Sequence, residues 1–286
     1  MTNVRIGASG NEVRQGARRR LFVEGKANSL DPAAISAVVG PSVDVVPLGP
    51  CFNVRAAAEA LFPHHQDYYF LADRDYTSSD VVDELWLNFP NTVTHNFLVW
   101  RKHELENYFV DPSFAIKSSF LKAGKKSAEI ERYLEKTFGD RLWVESVNRY
   151  IESVRASFRV SLKFFEDSEI LAPTIEKCAT MAISRMKAIK FSRPSDKQIK
   201  DGIRDAHQLL GGGRPRLQLG VGAWLDQMPA KEVFKGLISR FMAVTDRTGT
   251  RLNGVQAENE FVRDLLAAAG ATGWPDDFVQ LRRILT

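Results

Sequence analysis

Apolar and polar residues follow two different periods along the first 115 residues. Short apolar runs, typical of buried strands, are separated by longer stretches in which apolar residues recur every three or four positions, as in helices. The expected strands are Arg20–Val23, Val43–Leu48, Tyr68–Ala72 and Val93–Val99. The expected helices are Asp31–Val39, Asn53–Phe62, Ser79–Leu87 and Lys102–Phe109. This alternation predicts an α/β fold with a mostly parallel sheet and flanking helices.

Strand-like patterns nearly vanish after residue 115. The expected helices there are Ser127–Phe138, Leu142–Phe165, Thr174–Lys190, Asp196–Leu210, Ala230–Val244 and Gln256–Ala269. We therefore predict an α/β catalytic domain over 1–115 and a mainly α-helical region over 116–286. We expect the helical region to bind a partner, to dimerise the chain or to hold substrate.

The whole-chain composition narrows the class of protein. The formal net charge is +4 and the isoelectric point is near 9.0, which suits a polyanionic partner without requiring one. The two cysteines, Cys51 and Cys178, form neither a metal-binding spacing nor a disulfide framework. We see no apolar stretch of the kind found in a secretory signal or a membrane span. A cytoplasmic protein with no membrane partner is the expectation.

Acidic residues follow two of the predicted strands. Glu24 comes directly after the first, and Asp73 and Asp75 come after the third. In open α/β sheets the ligand crevice lies outside the carboxyl ends of the strands, where such side chains converge. Clustered carboxylates repel one another, and a hard cation such as Mg²⁺ removes that repulsion. Taken singly, each acid is better explained as a helix cap or a turn residue, and only the combination favours a metal site.

Three segments resemble a known family. The chain reads FVEGK over 22–26 and FLADRD over 70–75, a strand followed by Glu-Gly and then a strand followed by Asp-x-Asp. This order resembles the TOPRIM domain of topoisomerases, primases and OLD-family nucleases. The segment RKHELENYF over 101–109 is similar to a TOPRIM-like nuclease family of bacterial phage defence, which includes the effector of the PARIS anti-phage system.

The resemblance implies a TOPRIM-like, metal-dependent nuclease that uses Mg²⁺ or Mn²⁺. It implies Glu24 as the acid/base residue and Asp73 and Asp75 as metal ligands. Glu24 is also an expected metal ligand. Within the 101–109 segment, Glu106 is the expected additional ligand or orienting residue. Many relatives carry an acid where this chain has Asn28, which favours one metal ion over two.

The resemblance also implies a biological setting. We expect Lys26, Arg74 and Arg101, which flank the acids, to contact the nucleic-acid substrate, either RNA such as tRNA or DNA. The family implies a toxin-like effector of antiviral defence by abortive infection, an ABC-type ATPase partner and an active homodimer. A non-catalytic TOPRIM-shaped subunit of an ATPase complex is the main alternative. A primase-like nucleotidyl transferase is a third, although no zinc-ribbon cysteine set accompanies it.

A basic segment stands apart from these motifs. Six basic residues and one acid lie between Arg185 and Lys200. Such a run is a nucleic-acid-binding stripe or simply a solvated helix surface, and the sequence leaves both interpretations open.

Overall fold

The computed structural model describes residues 19–62, 64–91, 96–170 and 174–286. The strands are β1 Arg19–Val23, β2 Val43–Pro47, β3 Tyr68–Ala72 and β4 Phe97–Val99. The helices are α1 Leu30–Val39, α2 Cys51–Leu61, α3 Ser79–Asn88, α4 Glu106–Phe109, α5 Pro112–Ala115, α6 Ser127–Phe158, α7 Ile175–Lys187, α8 Asp196–Gly211, α9 Trp224–Gln227, α10 Lys231–Phe241, α11 Gly254–Ala269 and α12 Asp276–Leu285. A short 3₁₀ turn, Ala271–Gly273, precedes α12.

These elements form two compact units. In the described part of the chain, the first unit comprises 19–74, 78–101 and 244–286, and the second comprises 75–77 and 102–243. The first unit therefore contains the sheet together with the last two helices of the chain. The linear division into domains 1–115 and 116–286 stays a prediction, and its residues 1–18 lie outside the described residues.

The sheet of the first unit has four strands in the order β2-β1-β3-β4, and every neighbouring pair is parallel. The last three residues of β1 and the last four of β3 are buried, as expected for apolar runs in a parallel sheet flanked by helices. Strand β4 covers the last three residues of the predicted Val93–Val99, and 93–95 lie outside the described residues.

Helices from both ends of the chain pack together in the first unit. Helix α1 contacts both α11 and α12, although more than 200 residues separate α1 from them in sequence. The indole N–H of Trp86 on α3 donates to the carbonyl of Val99 at 2.9 Å, and Trp100 meets Phe278 of α12 edge to face. The pattern had not predicted α12, and it proves to be part of the core that supports the sheet.

The second unit is helical. One hydrophobic core of this unit joins α6, α7 and α8 and includes Val147, Ile151, Cys178 and Ile203, all fully buried. The two helices predicted over 127–165 are one helix of 32 residues, α6, which ends at Phe158. A glycine inside a helix costs only about 1 kcal/mol. Tertiary packing of the apolar stripe through α6 therefore carries the helix across Gly139.

The predicted fold class is confirmed. The chain combines an α/β unit, built on an all-parallel sheet with flanking helices, with a mainly helical remainder. Within the described ranges, no helix has both the length and the apolar content that a bilayer crossing requires.

Candidate functional site

The turn after β1 holds Glu24 in a fixed position. Gly25 exchanges two backbone hydrogen bonds with Gly49, at 2.8 and 2.9 Å, so the turn is tied to the loop that follows β2. Gly25 has a φ of +90°, and a Cβ there would lie 2.2 Å from the Ser29 hydroxyl. The Ser29 hydroxyl in turn accepts from the backbone N–H of Lys26 and donates to its carbonyl. Only glycine fits this position without strain, so Glu-Gly is a structural as well as a chemical motif.

Glu24 and Asp73 meet at the carboxyl edge of the sheet. Val23 of β1 lies opposite Leu71 of β3 in the parallel register, so both strands end at the same level. The Glu24 Oε1 atom accepts a hydrogen bond from the backbone N–H of Asp73 at 2.7 Å. Both residues are half-buried, which leaves part of each open to solvent. The carboxylate of Glu24 is thus held against the backbone of Asp73.

Asp75 is grouped with the second unit. Its backbone N–H donates to the carbonyl of His103 at 3.0 Å, and its φ of +49° is left-handed, which Asp tolerates better than most residues. Asp75 is exposed. The chain therefore turns sharply two residues after Asp73, and the bond to His103 holds that turn.

Two of the three predicted substrate contacts have structural partners in the first unit. Arg74 is buried, and its guanidinium donates to the carbonyl of Arg101 and to the hydroxyl of Ser79. Arg101 stacks on the ring of Trp86 at 4.1 Å and forms an ion pair with Asp277. These contacts tie β3, β4, α3 and α12 together. Substrate binding by either arginine stays a prediction.

Lys26, the third predicted substrate contact, and Asn28, where many relatives have an acid, follow Glu24 closely in the chain. Lys26 is exposed, and its backbone is held by Ser29. Asn28 is also exposed, and its carbonyl accepts from the side-chain amide of Asn259 on α11 at 3.2 Å. The backbone of Asn28 therefore links the turn after β1 to the C-terminal part of the same unit.

Within the second unit, Glu104 and Asn107 of the segment that suggested the defence family bind the backbone of residues 225–231. The Glu104 Oε1 atom accepts from the backbone N–H groups of Ala230, at 2.6 Å, and Lys231, which begins α10. The side-chain amide of Asn107 donates to the carbonyls of Leu225 and Met228 at 2.7 and 2.9 Å. A negative side chain at a helix N-terminus satisfies amides that have no partner within the helix. Sequence reasoning had not predicted this capping role.

Glu106, the predicted additional ligand, lies near Lys231 in the same unit. It is buried, and its Oε1 atom is 3.8 Å from the ammonium of Lys231. Burial, followed by the charge of Glu106, raises the pKa of Glu104 well above its ordinary value. Both carboxyls contact Lys231, Glu104 through the backbone N–H and Glu106 through the ammonium. The role of Glu106 as a metal ligand stays a prediction.

Sequence reasoning missed a buried acid on α6. Glu145 accepts from the Tyr76 hydroxyl at 3.2 Å and pairs with Arg141 at 2.9 Å. Burial raises its pKa to about 7, and burial followed by the Glu145 charge raises the pKa of Tyr76. One signal was available in the sequence. Glu145 lies seven residues after Phe138, on the stripe where the helix presents apolar side chains to the core.

Taken over the described ranges, no group of three or more His, Cys, Asp or Glu side chains is arranged to hold a metal ion. What the first unit offers is the pair formed by Glu24 and Asp73. Comparison with models of known protein families and with curated proteins finds no match for this chain.

Proposed function

We propose that this chain is a divalent-metal-dependent nuclease that cleaves phosphodiester bonds in RNA or DNA. The observation that carries the proposal is the Glu24–Asp73 contact at the carboxyl ends of two adjacent parallel strands. Ligand sites of open α/β sheets lie at this edge. The predicted third acid, Asp75, follows Asp73 by two residues in the chain.

The donor chemistry of this edge fits Mg²⁺ or Mn²⁺. Mg²⁺ in phosphoryl-transfer sites is usually held by one or two carboxylates, while waters and substrate phosphates complete the octahedron. Glu24 and Asp73 supply two carboxylates, and Asp75 would supply a third. When bound, such a metal polarises a phosphoryl oxygen and neutralises charge that develops on the leaving oxygen.

The protein's own residues have separate tasks in this proposal. Glu24 is the acid/base residue and orients the attacking water, and its hydrogen bond from Asp73 fixes the direction of its carboxylate. Asp73 and Asp75 would hold the metal. Lys26, exposed on the turn beside Glu24, attracts the substrate phosphate.

The cleavage assay compares wild type with Glu24→Gln. Labelled single-stranded RNA, tRNA, single-stranded DNA and duplex DNA are incubated with Mg²⁺, with Mn²⁺ and with a chelator. We expect metal-dependent cutting by wild type and loss of at least 100-fold in Glu24→Gln, in line with removal of a general base. The matched control is Glu59→Gln, an exposed acid on α2 of the same unit, which should cut like wild type. Equal rates for wild type and Glu24→Gln would remove Glu24 from the mechanism.

The proposed biological role is that of a toxin-like effector in phage defence, held by an ABC-type ATPase partner and active as a homodimer. This rests on the resemblance of the 101–109 segment. Co-expression with an ATPase encoded beside this chain would test it, with co-purification and cell survival as the readouts.

A non-catalytic subunit is the second candidate, and Asn28 is the observation that favours it. An amide stands where many relatives of the resembled family have an acid, and its backbone serves a link to Asn259. If this candidate is right, wild type leaves all four nucleic acids intact with either metal while still binding its partner.

A further inference from the structure

The second unit carries an open groove of about 470 Å³. One wall is the C-terminal part of α6, with Tyr150, Ser157 and Phe158, and the other is the segment before α8, with Ser192 and Arg193. Hydroxyls, a guanidinium and aromatic rings therefore line one surface. A groove for an apolar helix would be lined by aliphatic side chains, so this chemistry points to a polar ligand with a ring.

The cations of the basic segment beside the groove differ in their contacts. Arg185 donates to the carbonyls of Lys163 and Phe164 and forms an ion pair with Glu169, so it serves the fold. Arg193 pairs with Asp196 at 2.7 Å and also lines the groove.

The single acid of the segment, Asp196, begins α8 and shows where those cations gather. The pKa of Asp196 is lowered, first by a hydrogen bond from Arg193 and also by the charges of Lys187 and Lys200. Arg193 lines the groove and pairs with Asp196 at 2.7 Å, and Lys200 lies one helical turn after Asp196 on α8. Lys187 is the last residue of α7. We call Lys187, Arg193 and Lys200 the basic rim. Its charge exceeds that of Asp196, so the rim attracts polyanions.

Phe158 supplies the second kind of contact. The ring is 41 % exposed at the end of α6 and lies edge to face with Phe191 at 5.4 Å. Single-stranded nucleic acids bind where a positive groove follows the backbone and exposed aromatic rings stack on bases. A duplex hides its bases, so it would use the basic rim but not the ring.

We propose that the groove and its basic rim bind single-stranded nucleic acid, with phosphate against the rim and a base against Phe158. The hydroxyls of Ser157 and Ser192 donate to phosphate oxygens. The inference rests on the proposed nuclease function and deepens it, because it names the surface of the second unit that holds the substrate.

The test measures binding by the full chain in the Glu24→Gln background, without metal, so that substrate stays intact. Fluorescence anisotropy reports the Kd for labelled single-stranded RNA and DNA of about 15 nucleotides, and for the matching duplexes, over a range of salt. Lys187→Ala combined with Lys200→Ala should weaken single-strand binding at least tenfold and make the salt slope shallower by about 1.4. Phe158→Ala should weaken it at least fivefold with the slope unchanged, because stacking releases no counterions.

Two control variants match these changes in the first unit. Arg247→Ala with Arg283→Ala removes the same charge from exposed positions, and Phe52→Ala removes a phenylalanine that is 76 % exposed. Both controls should bind like the parent. Thermal unfolding of every variant separates lost binding from lost folding.

Three results would overturn the inference: a parent that binds no oligonucleotide, groove variants that bind like the parent, or controls that lose as much as the groove variants. The second result is expected if the basic rim meets an acidic protein instead. Failure of the nuclease function looks different. Wild type would then cut nothing, while the groove variants would still bind more weakly than the parent.

Discussion

The Oε1 atom of Glu24 accepts the backbone N–H of Asp73 at 2.7 Å, so the proposed acid/base residue is also part of the fold. This bond joins the ends of β1 and β3, which are separated by 49 positions in sequence. A substitution at Glu24 therefore changes chemistry, structure or both, depending on whether an acceptor remains. The choice of side chain separates the two effects.

Glu24→Gln and Glu24→Ala should differ in stability. Glutamine keeps a carbonyl oxygen for the Asp73 N–H, so its melting temperature should stay near that of wild type. Alanine leaves a half-buried N–H without its acceptor, which costs about 1–3 kcal/mol of the free energy of unfolding. Chemical denaturation of both variants measures the difference. If the two variants are equally stable, the bond does not contribute to the fold.

Gly25→Ala should be the most damaging small substitution in the turn. A Cβ would lie 2.2 Å from the Ser29 hydroxyl, and the φ of +90° is unfavourable for any side chain. We expect a loss of about 2–4 kcal/mol in the free energy of unfolding, as strain and overpacking add. Gly40→Ala is the matched control, since Gly40 has a φ of +72° with open space around its Cβ position. It should lose less than Gly25→Ala, about 1–3 kcal/mol, because it adds backbone strain without overpacking.

The contact between Glu24 and Asp73 could be predicted because it depends only on where two neighbouring strands end. Apolar runs identify the strands, and parallel strands that end beside one another bring the following residues together. Glu24 and Asp73 meet for that reason, as the hydrogen bond between them shows. The sequence pattern carries no comparable signal for contacts made far along the chain.

Arg101 illustrates what the sequence pattern could not supply. Its partner Asp277 lies 176 residues away on α12, a helix that the pattern had not identified. Glu104 is a second case, since its capping of α10 requires knowing where that helix begins in space. Arg101 looks like a site candidate in sequence because sequence alone does not distinguish a charge that stabilises the fold from one that binds a ligand.

Asp73→Asn and Asp75→Asn should each weaken binding of Mg²⁺ or Mn²⁺, because a hard cation prefers anionic oxygen. We expect at least a tenfold rise in Kd for each variant, measured by isothermal titration calorimetry. Asp83→Asn, an exposed acid on α3, is the control and should bind metal like wild type. Unchanged affinity in both variants would exclude these carboxylates from a metal site. Glu106→Gln in the same experiment tests the predicted additional ligand.

Glu145 should make the stability of the protein fall as pH rises from about 4.5 to about 7. Its pKa in the folded protein is about 7, because burial disfavours the charged carboxylate, against an ordinary value of 4.5. Between these values the folded state holds a proton that the unfolded state has released. Stability therefore decreases with increasing pH, and the contribution is fully present below about pH 4.5. The difference corresponds to about 3 kcal/mol at most.

The measurement is the free energy of unfolding of wild type and Glu145→Gln from pH 4 to pH 8. Glutamine resembles the protonated acid, so the two proteins should have similar stability at pH 4, and the variant should become the more stable one by pH 8. Arg141 keeps its ion pair with Asp167 in the variant, which limits the loss caused by the substitution itself. Glu166→Gln, at an exposed position of the same unit, should run parallel to wild type. If Glu145→Gln also runs parallel, Glu145 is ionised in the folded protein across this range and its burial does not shift its titration.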